Sequence, residues 1–105
     1  MSNDLLEIPM SARPFVAGAQ LLPENMTCRQ MAILLLIAAH PGNSVKHIAA
    51  TLDLSKPVIT RASDKLVDLK LVRRKISTMD RRQVELYVTT DGVRLLRAAG
   101  LLPAA

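Results

Sequence analysis

The chain has 105 residues, half of them hydrophobic, with 14 Lys+Arg against 9 Asp+Glu and a formal net charge of +5. That length holds one modest core and no second one. With one Phe, one Tyr and no Trp, the core must be aliphatic, and single-strand binders, which stack bases on several rings, are disfavoured.

A mean hydropathy of +0.22 is high for so small a soluble domain and points to apolar surface buried between subunits. The charge is unevenly spread. Residues 1–26 carry Asp4, Glu7 and Glu24 against Arg13, a balance of −2, whereas residues 27–90 carry eleven basic and five acidic side chains, or +6. Residues 91–105 add Asp91, Arg94 and Arg97, or +1. A single cysteine, Cys28, excludes an intramolecular disulfide and a Cys-rich zinc site, and fits a reducing compartment. The apolar run from Ala32 to Ala39 is too short to span a bilayer, and no basic stretch followed by an apolar one marks an export signal. A cytoplasmic, nucleoid-associated location is expected.

Residues 1–25 read as an N-terminal arm interrupted by Pro9 and Pro14, with a short helix over residues 14–22 ended by Pro23. Thr27 and Gln30 then form a T-x-x-Q capping pair. The following MAILLLIAA is apolar around most of its circumference, as a central core helix requires. His40-Pro41-Gly42 stops it. Ser44 caps a second helix carrying Val45, Ile48, Ala49 and Leu52 at helical spacing, and Ser55 caps a third over residues 56–69. That helix has Ile59, Ala62, Leu66 and Leu69 along one face and Pro57, Thr60, Arg61, Asp64 and Lys65 on the other. Pro57 is tolerated because first-turn amides lack helical partners.

Residues 71–77 and 83–89 read as strands. Val72 and Ile76 share a face of the first, and Val84, Leu86 and Val88 alternate along the second. Ser77 to Arg82 form the tip between them. Thr89-Thr90-Asp91-Gly92 leads into a last helix with Val93, Leu95 and Leu96, ending near Gly100. The predicted class is α+β, mostly helical: a winged helix-turn-helix over residues 26–97 with a two-stranded β-hairpin wing, then a tail over residues 98–105.

Such a module sets one helix in the major groove of DNA and a charged hairpin beside it. On the helix front, Lys56 and Arg61 can donate to guanine, Thr60 can bond a base edge, and Pro57 and Val58 offer apolar contact to thymine methyls. Ser44, Lys46, Ser55, Ser63 and Lys65 are assigned to phosphates, which fix register without reading sequence. Arg81 and Arg82, at the hairpin tip, suit a narrow minor groove. Asp80 repels phosphate and makes sense as a brace pinning a neighbouring arginine, Arg82 or Arg74, by a charge-assisted bond. The plainer alternatives are an exposed amphipathic helix with ordinary polar decoration and a type I turn that merely carries charge.

At these residues the chain resembles the MarR family of bacterial transcription regulators. The pattern runs Leu54-Ser55-Lys56-Pro57, Ile59-Thr60-Arg61, Leu66, Leu71-Val72 and Arg74, then Asp80-Arg81-Arg82, Thr89 and Gly92. Thr27-Cys28-Arg29-Gln30 and Val45-Lys46-His47-Ile48-Ala49 look like the corresponding family helices. The resemblance implies a winged helix-turn-helix homodimer on pseudo-palindromic double-stranded DNA. It also implies that Pro57, Thr60 and Arg61 read bases while Arg82 enters the minor groove. Lys70 stands where the family usually has glycine. The short ends argue against the family's small-molecule pocket. Dimer contacts are left to Leu5, Leu6, Phe15, Leu21, Leu22, Leu95, Leu96, Leu101 and Leu102.

Cys28 is expected to pack as a small apolar residue. Redox sensing is the lesser alternative, as there is no resolving cysteine in the chain. His40 and His47 lack the neighbours of a metal site. No catalytic triad order, glycine-rich phosphate loop or carboxylate pair stands out, so neither enzyme nor cofactor is expected. The leading function is a sequence-specific DNA-binding repressor. The alternative is a winged-helix protein-docking module, but a docking face should be poor in charge, and both the helix front and the hairpin are basic.

Overall fold

The computed structural model describes residues 7–23 and 25–103. After a 3-10 turn, Met10–Ala12, the elements are α1 Arg13–Leu21, α2 Cys28–Ala39, β1 Asn43–Ser44, α3 Val45–Leu52, α4 Lys56–Asp68, β2 Val72–Ile76, β3 Val84–Val88 and α5 Thr90–Ala98. The predicted winged helix-turn-helix order is present. Leu5 and Leu6, named as dimer contacts, lie outside the described residues.

Local chemistry starts most of these elements where the sequence predicts. Gln30 N–H donates to Thr27 Oγ1 at 3.1 Å while Thr27 N–H donates to Gln30 Oε1 at 2.9 Å. This reciprocal box satisfies two of the free amides that open α2. Ser44 Oγ accepts from His47 N–H at 3.0 Å to start α3, and Asp53 closes that helix in the left-handed conformation, φ 53°. Ser55 holds the cap position of α4, but its side chain makes no cap bond. A capping oxygen takes the N–H two or three residues on, and Pro57, two residues on, has none.

The core lies where α2 packs against α4, β3 and α5. Ile33, Leu34, Ile37, Ile48, Ile59 and Leu66 are fully buried there, joined by Leu86 and Leu96. No aromatic ring belongs to it: Phe15 is 55% exposed, and Tyr87 lies on the outer face of the sheet. Leu96 is sealed inside the protomer, so it cannot serve as the dimer contact expected of it. Leu95, Leu101 and Leu102 pack partly against the same core.

The sheet has three strands, not two, in the order β1-β3-β2 and antiparallel throughout. Asn43 pairs with Leu86 and Ser44 with Glu85, so the strand just before α3 is stitched to the wing stem. Between β2 and β3 the register sets Val72 opposite Val88, Arg74 opposite Leu86 and Ile76 opposite Val84. Directly opposed residues share a face, so Val72, Arg74 and Ile76 point toward the helices. Only the near end of that row meets the core, with Val72 2% and Ile76 63% exposed. The hairpin outruns the helices beneath it.

Lys70 adopts φ 62°, so the turn after α4 keeps the left-handed conformation with a residue that disfavours it by about 1–2 kcal/mol. Its carbonyl accepts from Thr89 Oγ1 at 2.7 Å, which fastens the turn to the start of α5. Gly92 lies directly above this turn. A Cβ there would collide with the Leu71 carbonyl oxygen and stand 2.5 Å from Val88 Cγ2. Among the described residues no helix is long and apolar enough to cross a membrane.

Candidate nucleic-acid interface

α4 turns one face into the core and the other outward. Ile59, Ala62, Ser63 and Leu66 are buried, whereas Lys56, Pro57, Thr60, Arg61 and Asp64 are exposed and Val58 and Lys65 are half-buried. At about 100° per residue, Pro57, Thr60 and Asp64 form the middle of the outward face. Lys56 lies on one flank, and Val58 and Arg61 lie toward the other.

The first flank faces the wing. A cleft of about 500 Å³ is lined by Ser44, Val45, Lys46, Lys56, Asp80, Arg82, Gln83 and Val84. Residues assigned separately from sequence, at the start of α3, the start of α4 and the hairpin tip, therefore share one opening. Among the described residues, three cations border it against the single carboxylate of Asp80. The second flank borders a cleft of about 370 Å³ lined by Thr27, Arg29, Gln30, Val58, Arg61 and Ala62. Arg29 was not singled out from sequence, because nothing in a single chain tells which end of α2 faces the third helix.

The wing tip organises itself around two side chains. Ser77, 6% exposed, accepts from Met79 N–H and Asp80 N–H at 3.2 Å each. Asp80 Oδ1 in turn accepts from Arg82 N–H at 3.0 Å and from Arg82 Nε at 3.3 Å. This is an aspartate turn of the ordinary kind, extended to hold the arginine stem. The Arg82 side chain is 92% exposed beyond that anchor, and Arg81 is exposed beside it.

Of the two partners expected for Asp80, the structure selects Arg82. Arg74 does not brace the tip: its guanidinium pairs with Asp64 of α4, because its place on the helix-facing side of β2 aims it at α4. On the outer face, Arg73 lies 4.7 Å over the Tyr87 ring and Tyr87 Oη donates to Glu85 Oε1 at 3.0 Å. That hydrogen bond chiefly, with burial and the nearby negative charge adding to it, raises the phenol above its ordinary pKa; Arg73 partly offsets the rise. Gly42, φ +87°, lies under this ring, where a Cβ would come 3.2 Å from Tyr87 Oη.

Two sequence assignments fail. Ser63 cannot touch phosphate: it is fully buried, and its hydroxyl has no hydrogen-bond partner among the described residues. Cys28 does not pack as a small apolar residue but is exposed, since the first turn of α2 extends past the core. Ser44, Lys46, Ser55 and Lys65 keep some or full exposure, although the Ser44 hydroxyl is occupied by its cap bond.

Ser63 yields a test of its own. A buried hydroxyl without a partner costs on the order of 1–3 kcal/mol, and alanine is the better helix former. Ser63→Ala should therefore raise the melting temperature, by several degrees for a gain of about 1 kcal/mol, and leave DNA affinity unchanged. A lowered melting point would mean that the hydroxyl has a partner.

The sequence profile of the MarR family matches residues 24–83. No curated protein is significantly similar in sequence. Among solved structures, the chain is similar to the crystal structure of MarR, at 27% identity over 90% of this chain and 66% of that one, with a TM-score of 0.69. It is similar in fold to MepR of S. aureus in a DNA complex, at 24% identity over 90% and 76% of the two chains, TM-score 0.73. The same holds for PcaV of Streptomyces coelicolor with its natural ligand, at 23% identity over 83% and 62%, TM-score 0.70. The chain spans 62% of PcaV, 66% of MarR and 76% of MepR.

Proposed function

The chain belongs to the MarR family, and from that premise we propose that it is a double-stranded-DNA-binding transcription regulator acting as a sequence-specific repressor. One observation carries the reading: Lys46, Lys56 and Arg82, from three different elements, border a single cleft beside the exposed face of α4. A helix flanked by converging cations suits a major groove, whose edges are two phosphate backbones. The MepR relative was solved in a DNA complex, which supports the same assignment here.

In this reading α4 enters the major groove. Lys56, Pro57, Val58, Thr60 and Arg61 meet base edges, and Lys46, Ser55 and Lys65 meet phosphates, with Ser44 beside them. The Ser55 hydroxyl, free of any cap bond, is open to a phosphate oxygen. Arg82, its stem held by Asp80, reaches the minor groove with Arg81 beside it. A homodimer would place two such modules on a pseudo-palindromic site, with Phe15 and Leu21 of α1, both exposed, available for the contact. A cytoplasmic location and the division into arm, winged domain and tail belong to the same proposal.

The test is a titration of mixed genomic duplex at several salt concentrations. For the about six to ten phosphate contacts of a dimer, affinity should fall on the order of 10³- to 10⁵-fold between about 50 and 200 mM salt. Absence of binding at low salt would instead favour a protein-docking role.

A further inference from the structure

The flank of α4 turned away from the wing carries the inference. There, Arg29 of α2 and Arg61 of α4 border one open cleft with Thr27, Gln30 and Val58, and no carboxylate lines it among the described residues. Both arginines are exposed. Arg29 makes no ion pair or side-chain hydrogen bond among the described residues, and neither does Arg61. Like charges across a shared opening repel, and an anion between them removes that cost.

The position of this cleft identifies the anion. Val58 stands two residues from Lys56, about 200° round the helix, so the cleft with Arg29 and the cleft with Lys46 and Arg82 border opposite flanks of α4. A helix seated in the major groove has a sugar–phosphate backbone along each flank. The wing-side cations can meet only one of them.

We infer that Arg29 is a phosphate clamp on the backbone opposite the wing, the counterpart across α4 of Lys46. This rests on the proposed DNA-binding reading and adds a residue to it. Arg29 neutralises charge and fixes the lateral position of α4, while the neighbouring Arg61 turns to the bases. Thr27 and Gln30 hold each other in the reciprocal cap, which gives Arg29 a rigid base in the first turn.

The experiment compares the parent chain with Arg29→Ala and Arg29→Lys on one mixed-sequence genomic duplex, measuring affinity across a salt series. In the homodimer each protomer loses one phosphate contact, so the slope of log affinity against log salt should fall by about 2. The deficit of Arg29→Ala relative to the parent should then shrink about tenfold for each fourfold rise in salt. Arg29→Lys, which keeps the charge, should retain the parent slope. Melting curves equal to the parent's would exclude an effect through folding. A parent slope in Arg29→Ala overturns the inference, whether affinity is unchanged or lowered, because a merely structural residue moves affinity without releasing fewer counterions. A parent that fails to bind the duplex at low salt overturns the DNA-binding reading itself, and the clamp with it. A binding parent beside an unaltered Arg29→Ala overturns the clamp alone.

Discussion

Gly92→Ala is expected to cost the fold about 3 kcal/mol or more and lower the melting temperature by well over about 10 °C. The added methyl would meet the Leu71 carbonyl oxygen and Val88 Cγ2. One is backbone, and the other is a branched side chain beside the buried Leu71–Val72 turn. Neither can swing aside as a long flexible chain could. Gly92 N–H also donates to Thr89 Oγ1 at 3.0 Å, and Thr89 in turn holds the Lys70 carbonyl. Displacing the glycine therefore disturbs the start of α5 and the turn after α4 together. Thermal or urea denaturation followed by circular dichroism checks this. A melting point within about two degrees of the parent's would show that the close approach at Leu71 is soft.

The second large effect concerns recognition. Arg61→Ala should leave the melting curve unchanged, since the side chain is exposed, but should erode the preference for operator over mixed DNA. A lost bidentate base contact is worth about 1–3 kcal/mol of discrimination, or roughly 5- to 150-fold in the affinity ratio. The measurement is a pair of titrations, one on a fragment selected by the parent from its genome and one on mixed duplex at the same salt. An unchanged ratio would remove Arg61 from base readout. Arg29→Ala provides the contrast, because losing a phosphate contact lowers both affinities alike.

Features written in neighbouring residues were legible in the sequence. The Thr27–Gln30 box, the Ser44 cap, the tip at Asp80-Arg81-Arg82 and the Thr89 start of α5 each depend on partners a few positions apart, and each forms. Long-range pairing was not legible. β1 has two residues and no period to detect. By charge alone Arg74 could pair with Asp64 or with Asp80, and the pleat of β2, which turns it toward α4, decides for Asp64.

The Ser63 error was avoidable. At about 100° per residue it lies roughly 40° from Ile59 on one side and roughly 40° from Val67 on the other, flanked by apolar residues, and its polarity drew it to the wrong face. Cys28 erred in the other direction. Its type suggested burial, but the first turn of α2 runs beyond the layer that would cover it.

The ion pair between Arg74 and Asp64 joins the hairpin stem to the middle of α4. With both side chains partly exposed, at 39% and 53%, it adds at most about 1 kcal/mol to stability. Its larger effect is mechanical. β1 ties the stem to the root of α3 as well, so hairpin and helix are joined at two places that resist a change in the distance between them. On the proposed docking, a duplex with mismatched groove spacing must bend to fit, and flexible TA or CA steps do so at lowest cost. Bases that no side chain touches would then influence binding through their stiffness.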